Sequence, residues 1–274
     1  MKAVTRKIRA TTAMCGSAGL ALAVTCLTIA GAEPDCQSHS TARRVAVIEL
    51  YTSEGCNSCP PADRWVGSLP ARGFNADRVV PLAFHVDYWD YLGWRDRFAQ
   101  ASFSARQRAQ ADRGGARFVY TPQLLLNGAD MRQPLLDSGF PERLARINSG
   151  AAAAELRLAQ RAGVTGVSIE LESRVIEPSA LKFSESYVAL FENNLGSEVH
   201  AGENSGKVLS HDFVVREMIG PLRADSTGRL RWSGTIALHG HWKRPDLGIA
   251  AFVQDVRNGD VLQALHASLC SKPR

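Results

Sequence analysis

Two cysteines separated by two residues lie in the stretch Gly55-Cys56-Asn57-Ser58-Cys59-Pro60-Pro61. This stretch follows an apolar run at residues 45–51 that is typical of a buried β-strand. Prolines are tolerated in the first turn of a helix, because the amide hydrogens there would lack partners anyway. The unpaired N–H groups and the dipole at a helix start favour a thiolate. The sequence therefore predicts that Cys56 is a nucleophile and that Cys59 resolves a mixed disulfide.

Two other interpretations of the cysteine pair stay open, half of a zinc site and a purely structural disulfide. A zinc site of the finger type needs a second pair of ligands at similar spacing, and the sequence has no second pair of closely spaced cysteines. We therefore favour a redox-active Cys56–Cys59 disulfide over both alternatives.

The first 32 residues have the pattern of a secretory signal peptide. Four positive charges precede an uncharged, largely apolar run, which ends in the small residues Ala30-Gly31-Ala32. The run is nearly long enough for an uncleaved membrane anchor, which is the alternative. Removal of residues 1–32 reduces the formal net charge from +5 to +1. We expect a periplasmic or secreted protein that has no stable membrane insertion after cleavage and does not bind nucleic acid.

Four of the six cysteines lie beyond this segment, and disulfides persist in the compartments to which exported proteins go. Cys36 and Cys270 lie near the two ends of the mature chain. Chain ends are often close together in compact proteins, so a Cys36–Cys270 disulfide is a second hypothesis.

The pattern of apolar and polar residues changes near residue 150. This change predicts two domains, which follow an N-terminal segment at 33–43. In residues 44–150, strands and helices alternate. The predicted strands lie at 45–51 and 79–86, with a strand pair at 122–126 and 129–133. One predicted helix starts at residue 59, a second covers 95–113 and a third covers 141–148. Asn127-Gly128 is typical of the turn in such a strand pair.

Residues 151–274 show seven short segments with period-two alternation and no convincing helix. The predicted strands cover residues 155–161, 166–173, 186–193, 207–218, 229–238, 248–256 and 260–266. This pattern favours an immunoglobulin-like β-sandwich.

Thr121-Pro122 stands at the head of an apolar strand about sixty residues after the cysteines. A proline that begins a strand suits a sheet edge or a cis turn. Thr121-Pro122 follows the cysteine pair within an α/β pattern. We therefore predict that it is the second part of the site.

Several motifs together resemble a secreted family known as domain of unknown function 1223, and residues 44–150 resemble the thioredoxin fold. The motifs are Glu49-Leu50-Tyr51-Thr52-Ser53-Glu54-Gly55-Cys56, Cys59-Pro60-Pro61-Ala62-Asp63, His85-Val86-Asp87-Tyr88-Trp89-Asp90 and Tyr120-Thr121-Pro122-Gln123. The resemblance implies an α/β thioredoxin-like domain, in which Cys56 and Cys59 form the active pair and Thr121-Pro122 docks the substrate backbone. No cofactor is expected.

Two carboxylates near the cysteines are further candidates. Glu49, on the first strand, could accept the proton of Cys59 if burial raises its pKa, or it could form a salt bridge. Glu54 lies close to Cys56 and would oppose thiolate formation by charge repulsion.

Aromatic residues are concentrated between Phe84 and Phe98. Tyr88, Trp89 and Trp94 are candidates for lining a substrate groove, and core packing is the alternative.

The predicted function is that of an exported thiol–disulfide oxidoreductase acting on thiol or disulfide partners. One alternative is a protein that binds copper or another soft metal through Cys56, Cys59 and His85, because thiolates and imidazole suit such ions. Another is a non-catalytic binding scaffold in which the pair is a structural disulfide.

Overall fold

A computed structural model of the protein describes residues 36–132 and 138–270. The predicted signal peptide, at residues 1–32, lies outside the described residues, as does the end of the strand predicted at 129–133. Contacts group the described residues into a single compact unit. Within the described part of the chain, no helix has the length and apolar character needed to cross a membrane.

Three α-helices occur in the described residues: α1 (Pro60–Gly67), α2 (Ala101–Arg113) and α3 (Phe140–Ser149). Helices α1 and α3 carry proline in their first turn, where its fixed φ suits the helix and its missing N–H costs no hydrogen bond. Each of the three buries apolar side chains on one side only, so the helices cover a sheet instead of forming a bundle.

The described residues form fourteen strands. They are β1 (Cys36–His39), β2 (Ala46–Thr52), β3 (Val79–His85), β4 (Gln123–Leu126), β5 (Ala129–Asp130), β6 (Ala154–Ala162), β7 (Gly166–Val175), β8 (Ser184–Glu192), β9 (Leu195–Glu198), β10 (Val208–His211), β11 (Val214–Arg223), β12 (Arg229–Ala237), β13 (Leu247–Asp255) and β14 (Val261–Ser268).

Eight of these strands form one mixed sheet in the order β14-β13-β8-β11-β3-β2-β4-β5. Strands β2 and β3 run parallel over seven residue pairs, from Ala46 opposite Val79 to Thr52 opposite His85. Strand β11 joins β3 in parallel at Val214, which lies opposite Ala83. The other neighbours are antiparallel. Strands from both halves of the chain therefore share one sheet.

A second, antiparallel sheet has the order β1-β6-β7-β12, and β9 pairs with β10 in a separate hairpin. Apolar side chains of β6 and β7 pack against those of β8, β13 and β14, which gives a core between the two sheets. Another core lies around β2, β3 and the three helices. The sheet that β2 and β3 share with β8 and β13 thus contributes to both cores.

The predicted fold class, an α/β thioredoxin-like domain followed by an immunoglobulin-like sandwich, is wrong. The protein is mostly β, and no separate α/β domain is present among the described residues. The physical reason is the pairing of β3 with β11, which extends the sheet of β2 and β3 into β8, β13 and β14. Alternation along single strands cannot reveal which strands become neighbours across 130 residues.

Most individual elements agree with the sequence pattern, and the differences have local causes. The hairpin turn at Asn127-Gly128 is confirmed, with φ of 49° and 76°. The helix predicted at 95–113 begins only at Ala101, because the Asp96 carboxylate accepts the N–H of Phe98 and holds the preceding residues in turns. The strand predicted at 207–218 is divided into β10 and β11 at Phe213, where φ is 56°.

The predicted disulfide between Cys36 and Cys270 is confirmed. It connects the start of β1 with the residues after β14, across a separation of 234 residues. The backbone N–H of Cys270 also donates to the side chain of Gln160, which lies opposite Cys36 in the pairing of β1 with β6. The disulfide therefore ties both ends of the described chain to the edge of the smaller sheet.

We expect the Cys36→Ser/Cys270→Ser double variant to be less stable than the wild type by about 2–5 kcal/mol, because a very long loop is no longer closed in the unfolded chain. Guanidinium unfolding without reductant measures the difference. Reductant should lower the stability of the wild type by more than that of the double variant, which keeps only the Cys56–Cys59 pair. Equal unfolding midpoints for both proteins without reductant would contradict the expectation.

Candidate functional site

The turn between β2 and α1 holds both central cysteines. The backbone N–H of Cys56 donates to the carbonyl of Ser53, and that of Cys59 donates to the carbonyl of Cys56. Cys59 is the N-cap residue of α1, and its carbonyl accepts the N–H groups of Ala62 and Asp63. Both cysteines are free thiols, 1% and 0% exposed. The structure thus places the two thiols at a helix start, as the sequence predicts, but it does not join them in the predicted Cys56–Cys59 disulfide.

The two thiols differ in acidity. A hydrogen bond from the Cys59 thiol lowers the pKa of Cys56; burial opposes this, and hydrogen bonds from Ser58 and Thr121 help to bring the pKa to about 6. Burial raises the pKa of Cys59 well above its usual range, and the neighbouring Cys56 and Asp63 add to the effect. At neutral pH, Cys56 is therefore a thiolate and Cys59 a thiol that donates to it.

Thr121 and Pro122 lie beside Cys56, as the sequence predicts. The Cys56 sulfur is 3.8 Å from the carbonyl oxygen of Thr121, and the Thr121–Pro122 peptide bond is cis. The Trp89 indole N–H donates to the Thr121 hydroxyl oxygen at 2.7 Å. A hydrogen bond from the Thr121 side chain also helps to lower the pKa of Cys56.

Tyr88 and Trp89 belong to the surroundings of the pair. The Tyr88 hydroxyl donates to Gln107, and burial together with the two nearby thiols raises the pKa of Tyr88 to about 12. Trp89 stacks on Tyr91, which is 78% exposed. The predicted groove-lining role of these two residues stays a prediction, and their position is compatible with it.

Trp94 contacts Glu54 and His200 instead of Thr121. Its indole N–H donates to Glu54 at 2.7 Å, and its ring packs edge-on against His200. Glu54 is 0% exposed and points towards Trp94 and His211.

A segment from the second half of the chain covers the cysteine turn. The Asn204 side-chain amide is fully buried and donates to the carbonyl oxygens of Glu54 and Cys56 at 2.9 and 2.8 Å. The Glu203 carboxylate accepts the backbone N–H of Asn57 at 3.0 Å. These bonds fix the backbone of the cysteine turn from residues almost 150 positions away.

Glu49 does not have the environment expected of a proton acceptor for Cys59. It forms two hydrogen bonds of 2.8 Å with Arg106 and also accepts from Tyr51 and Gln110. Burial would raise the pKa of Glu49, but the Arg106 guanidinium outweighs burial and lowers it. The structure therefore favours the salt-bridge interpretation of Glu49.

The alternation of side chains along β2 explains this outcome. Successive residues of a strand point to opposite faces of the sheet. Glu49 and Tyr51 contact Arg106 and Gln110 of α2, whereas Thr52 donates to Asp63 of α1 at 3.0 Å. Glu49 thus lies on the face of the sheet opposite to the one that meets the cysteine helix.

Beneath the cysteine turn lies a group of buried ionisable side chains that we call the charged cluster: Glu54, Asp63, His85, Asp96 and His211. His85 Nδ1 is 2.7 Å from Asp96. His211 lies between two carboxylates, with Nε2 at 3.4 Å from Glu54 and Nδ1 at 3.7 Å from Asp63. Burial lowers the pKa of His211, but Asp63 and Glu54 outweigh it and raise the pKa to about 10.

The alternative metal set of Cys56, Cys59 and His85 is not assembled. In the described residues, the three side chains that bring possible ligand atoms within 4.8 Å of one another are Asp63, His85 and His211. His85 therefore belongs to the charged cluster and not to the cysteine pair.

Asn204, Asp96 and His211 are not among the site residues that the sequence predicts. One signal was present for His211. Strand alternation places it on the same face as Leu209, and both are buried. No short-range pattern connects Asn204 with Cys56.

The chain belongs to the family described as Protein of unknown function (DUF1223), whose model matches residues 47–254. This confirms the family resemblance seen in the motifs. No curated protein matches the chain.

Solved structures show similar folds. Protein AGR_C_4864 from Agrobacterium tumefaciens is 24% identical, with a TM-score of 0.57, and the match covers 85% of this chain and 98% of that one. HBP35 of Porphyromonas gingivalis is 17% identical, with a TM-score of 0.64, and the match covers 84% of this chain and 76% of that one. At these identities the similarity concerns the fold alone.

We expect the alkylation rate of Cys56 by iodoacetamide to rise with pH through a midpoint near 6, because only the thiolate reacts. In Cys59→Ala the midpoint should move towards the value of about 8.5 that is typical of a free cysteine, since the main hydrogen-bond donor is lost. Mass spectrometry of the peptide that contains Cys56 gives the rates.

Cys59→Ser is the matched control for this measurement. Its hydroxyl can still donate to Cys56, so its midpoint should move less than that of Cys59→Ala. A common midpoint near 8.5 in all three proteins would contradict the assignment of Cys56 as the acidic thiol.

Proposed function

We propose that the protein is a thiol–disulfide oxidoreductase in which Cys56 and Cys59 alternate between dithiol and disulfide. The observation that carries the proposal is the difference between two adjacent thiols: hydrogen bonds stabilise Cys56 as a thiolate, and burial keeps Cys59 protonated. Thiol–disulfide exchange needs this combination, because the thiolate attacks and the second thiol must be available to release the partner.

In the reductive direction, the Cys56 thiolate attacks one sulfur of a partner disulfide. A bond forms between Cys56 and that sulfur, the partner disulfide breaks, and the other partner sulfur leaves as a thiolate. Cys59 then gives its proton to the departing thiolate and attacks Cys56. The Cys56–Cys59 disulfide forms, the second partner sulfur leaves as a thiolate that takes its proton from solvent, and two electrons have passed to the partner. The oxidative direction is the reverse.

The neighbours of Cys56 suggest how a partner would approach. Asn57 and Ser58 are exposed, whereas Cys56 is 1% exposed. A partner disulfide would therefore reach the sulfur from the side of Asn57, between Thr121 and the Glu203 segment. Thr121, Pro122, Tyr88 and Trp89 are the proposed docking residues, and the partners are proteins or small molecules with a disulfide or dithiol.

We also propose that the protein works outside the cytoplasm. The support comes from the signal-peptide pattern of residues 1–32 and from the Cys36–Cys270 disulfide, since structural disulfides persist mainly in oxidising compartments.

The exchange mechanism predicts different outcomes for the two single cysteine variants. With insulin or a peptide disulfide as partner, Cys59→Ser should accumulate a mixed disulfide through Cys56, because the step that releases the partner is lost. Cys56→Ser should neither form the adduct nor catalyse reduction. Non-reducing mass spectrometry detects the adduct and identifies the cysteine that carries it.

Two results would overturn the proposed function. One is turnover by Cys56→Ser and Cys59→Ser equal to that of the wild type in both insulin reduction and dithiol oxidation. The other is the absence of any adduct on Cys59→Ser with intact circular dichroism. The Cys36–Cys270 disulfide stays intact in both variants, so it serves as an internal control for nonspecific exchange.

A further inference from the structure

The charged cluster contains more buried negative charge than its own side chains compensate. Glu54, Asp63 and Asp96 are 0%, 7% and 2% exposed. Within the described residues, the ion pairs of these carboxylates are formed with His85 and His211, and no Lys or Arg takes part. Burial of an uncompensated charge is costly, so the cluster favours a further positive charge.

Several nitrogen atoms in the cluster also lack a hydrogen-bond partner. His85 is 0% exposed and its Nε2 has no hydrogen-bond partner, although its Nδ1 is held by Asp96. His211 is 3% exposed; its Nε2 lies 3.4 Å from Glu54 and its Nδ1 3.7 Å from Asp63, and neither contact has the geometry of a hydrogen bond. Buried polar atoms in native proteins are nearly always paired, so orphaned nitrogens indicate an occupant.

We propose that Asp63, His85 and His211 bind a divalent first-row transition-metal ion, with Zn²⁺ as the representative ion. Each residue offers one ligand atom, and the three atoms lie within 4.8 Å of one another. Ligand atoms of a tetrahedral zinc ion lie roughly 3.3 Å apart at usual bond lengths. Side-chain rotations that close these distances by at most about 1.5 Å would bring the three ligands to tetrahedral spacing, and a water would take the fourth position.

The surroundings of the two imidazoles suit metal ligation. Metal-bound histidines almost always donate their second N–H to a carboxylate or carbonyl, which fixes the ring. His85 can bind through Nε2 while Nδ1–H donates to Asp96. His211 can bind through Nδ1, which faces Asp63, while Nε2–H points towards Glu54 at 3.4 Å. Each imidazole would thus have one carboxylate as its outer partner.

The three proposed ligands come from three different elements of the fold. Asp63 lies in α1, His85 ends β3, and His211 ends β10. An ion held by these residues would link the cysteine-bearing helix to strands from both halves of the chain. Two imidazoles and a carboxylate are ligands that zinc, iron and nickel accept, whereas copper(I) prefers thiolate.

The test uses the mature protein with its Cys36–Cys270 disulfide intact. Because the site is buried, the protein is unfolded with a chelator, freed of metal, and refolded with or without one equivalent of Zn²⁺ or Co²⁺. We expect one tightly bound ion per chain after gel filtration. The Co²⁺ form should show visible d–d bands of a four-coordinate site without the near-ultraviolet charge-transfer band of a thiolate ligand.

Variants separate this ligand set from others. Asp96→Asn removes an outer partner of His85 and should weaken Zn²⁺ binding by roughly 10–100-fold. Asp63→Asn and His85→Gln each remove a ligand and should weaken Zn²⁺ binding by more than that. His266→Gln is the matched control. His266 is a half-buried histidine, also with an unpartnered nitrogen, and it lies outside the cluster, so binding should not change.

Cys56→Ser/Cys59→Ser distinguishes this proposal from the proposed function, since it should bind Zn²⁺ as the wild type does. Loss of the ion in that variant, or a thiolate band in the Co²⁺ spectrum, would assign the metal to the cysteines and overturn the proposal. The proposal would also be overturned if the wild type refolds equally well with and without Zn²⁺ and retains no ion. In that case His211 is simply a protonated partner of its two carboxylates.

Discussion

The imidazole of His211 between the buried carboxylates of Glu54 and Asp63 is the contact on which the site depends. Glu54 precedes the cysteine turn, Asp63 lies in the helix that follows it, and His211 comes from a strand about 150 residues later. Removing one partner of a buried ion pair leaves an uncompensated charge and costs about 3–5 kcal/mol. The same region of the later strands supplies Asn204, which binds the backbone of the turn. The second half of the chain is therefore part of the cysteine site.

The two faces of β2 divide the buried charges into separate groups. On one face, Arg106 neutralises Glu49. On the other, Thr52 and Asp63 lie next to the cysteine helix. This separation explains why Glu49, although it precedes the cysteines by only a few residues, does not have a raised pKa. It also leaves burial, followed by the hydrogen bond with Cys56, as the main causes that raise the pKa of Cys59.

The sequence predicted local features well and long-range pairing poorly. The order of strands and helices, the Asn127-Gly128 turn, the position of Thr121-Pro122 and the Cys36–Cys270 disulfide followed from residue patterns or from family resemblance. The fold class was wrong because the pairing of Val214 with Ala83 joins two regions that look like separate domains in sequence. The cysteine pair was visible as a motif, but His211 and Asn204 reach it only through the folded chain.

The central claim is that Cys56 and Cys59 form a redox couple and not a structural bridge. The reduction potential of this couple tests it most directly, measured in glutathione and dithiothreitol buffers by alkylation and mass spectrometry of the peptide that contains both residues. We predict a potential above about −300 mV, where exchange with biological thiols is reversible. A potential well below that value would mean a disulfide that resists reduction and would contradict the account.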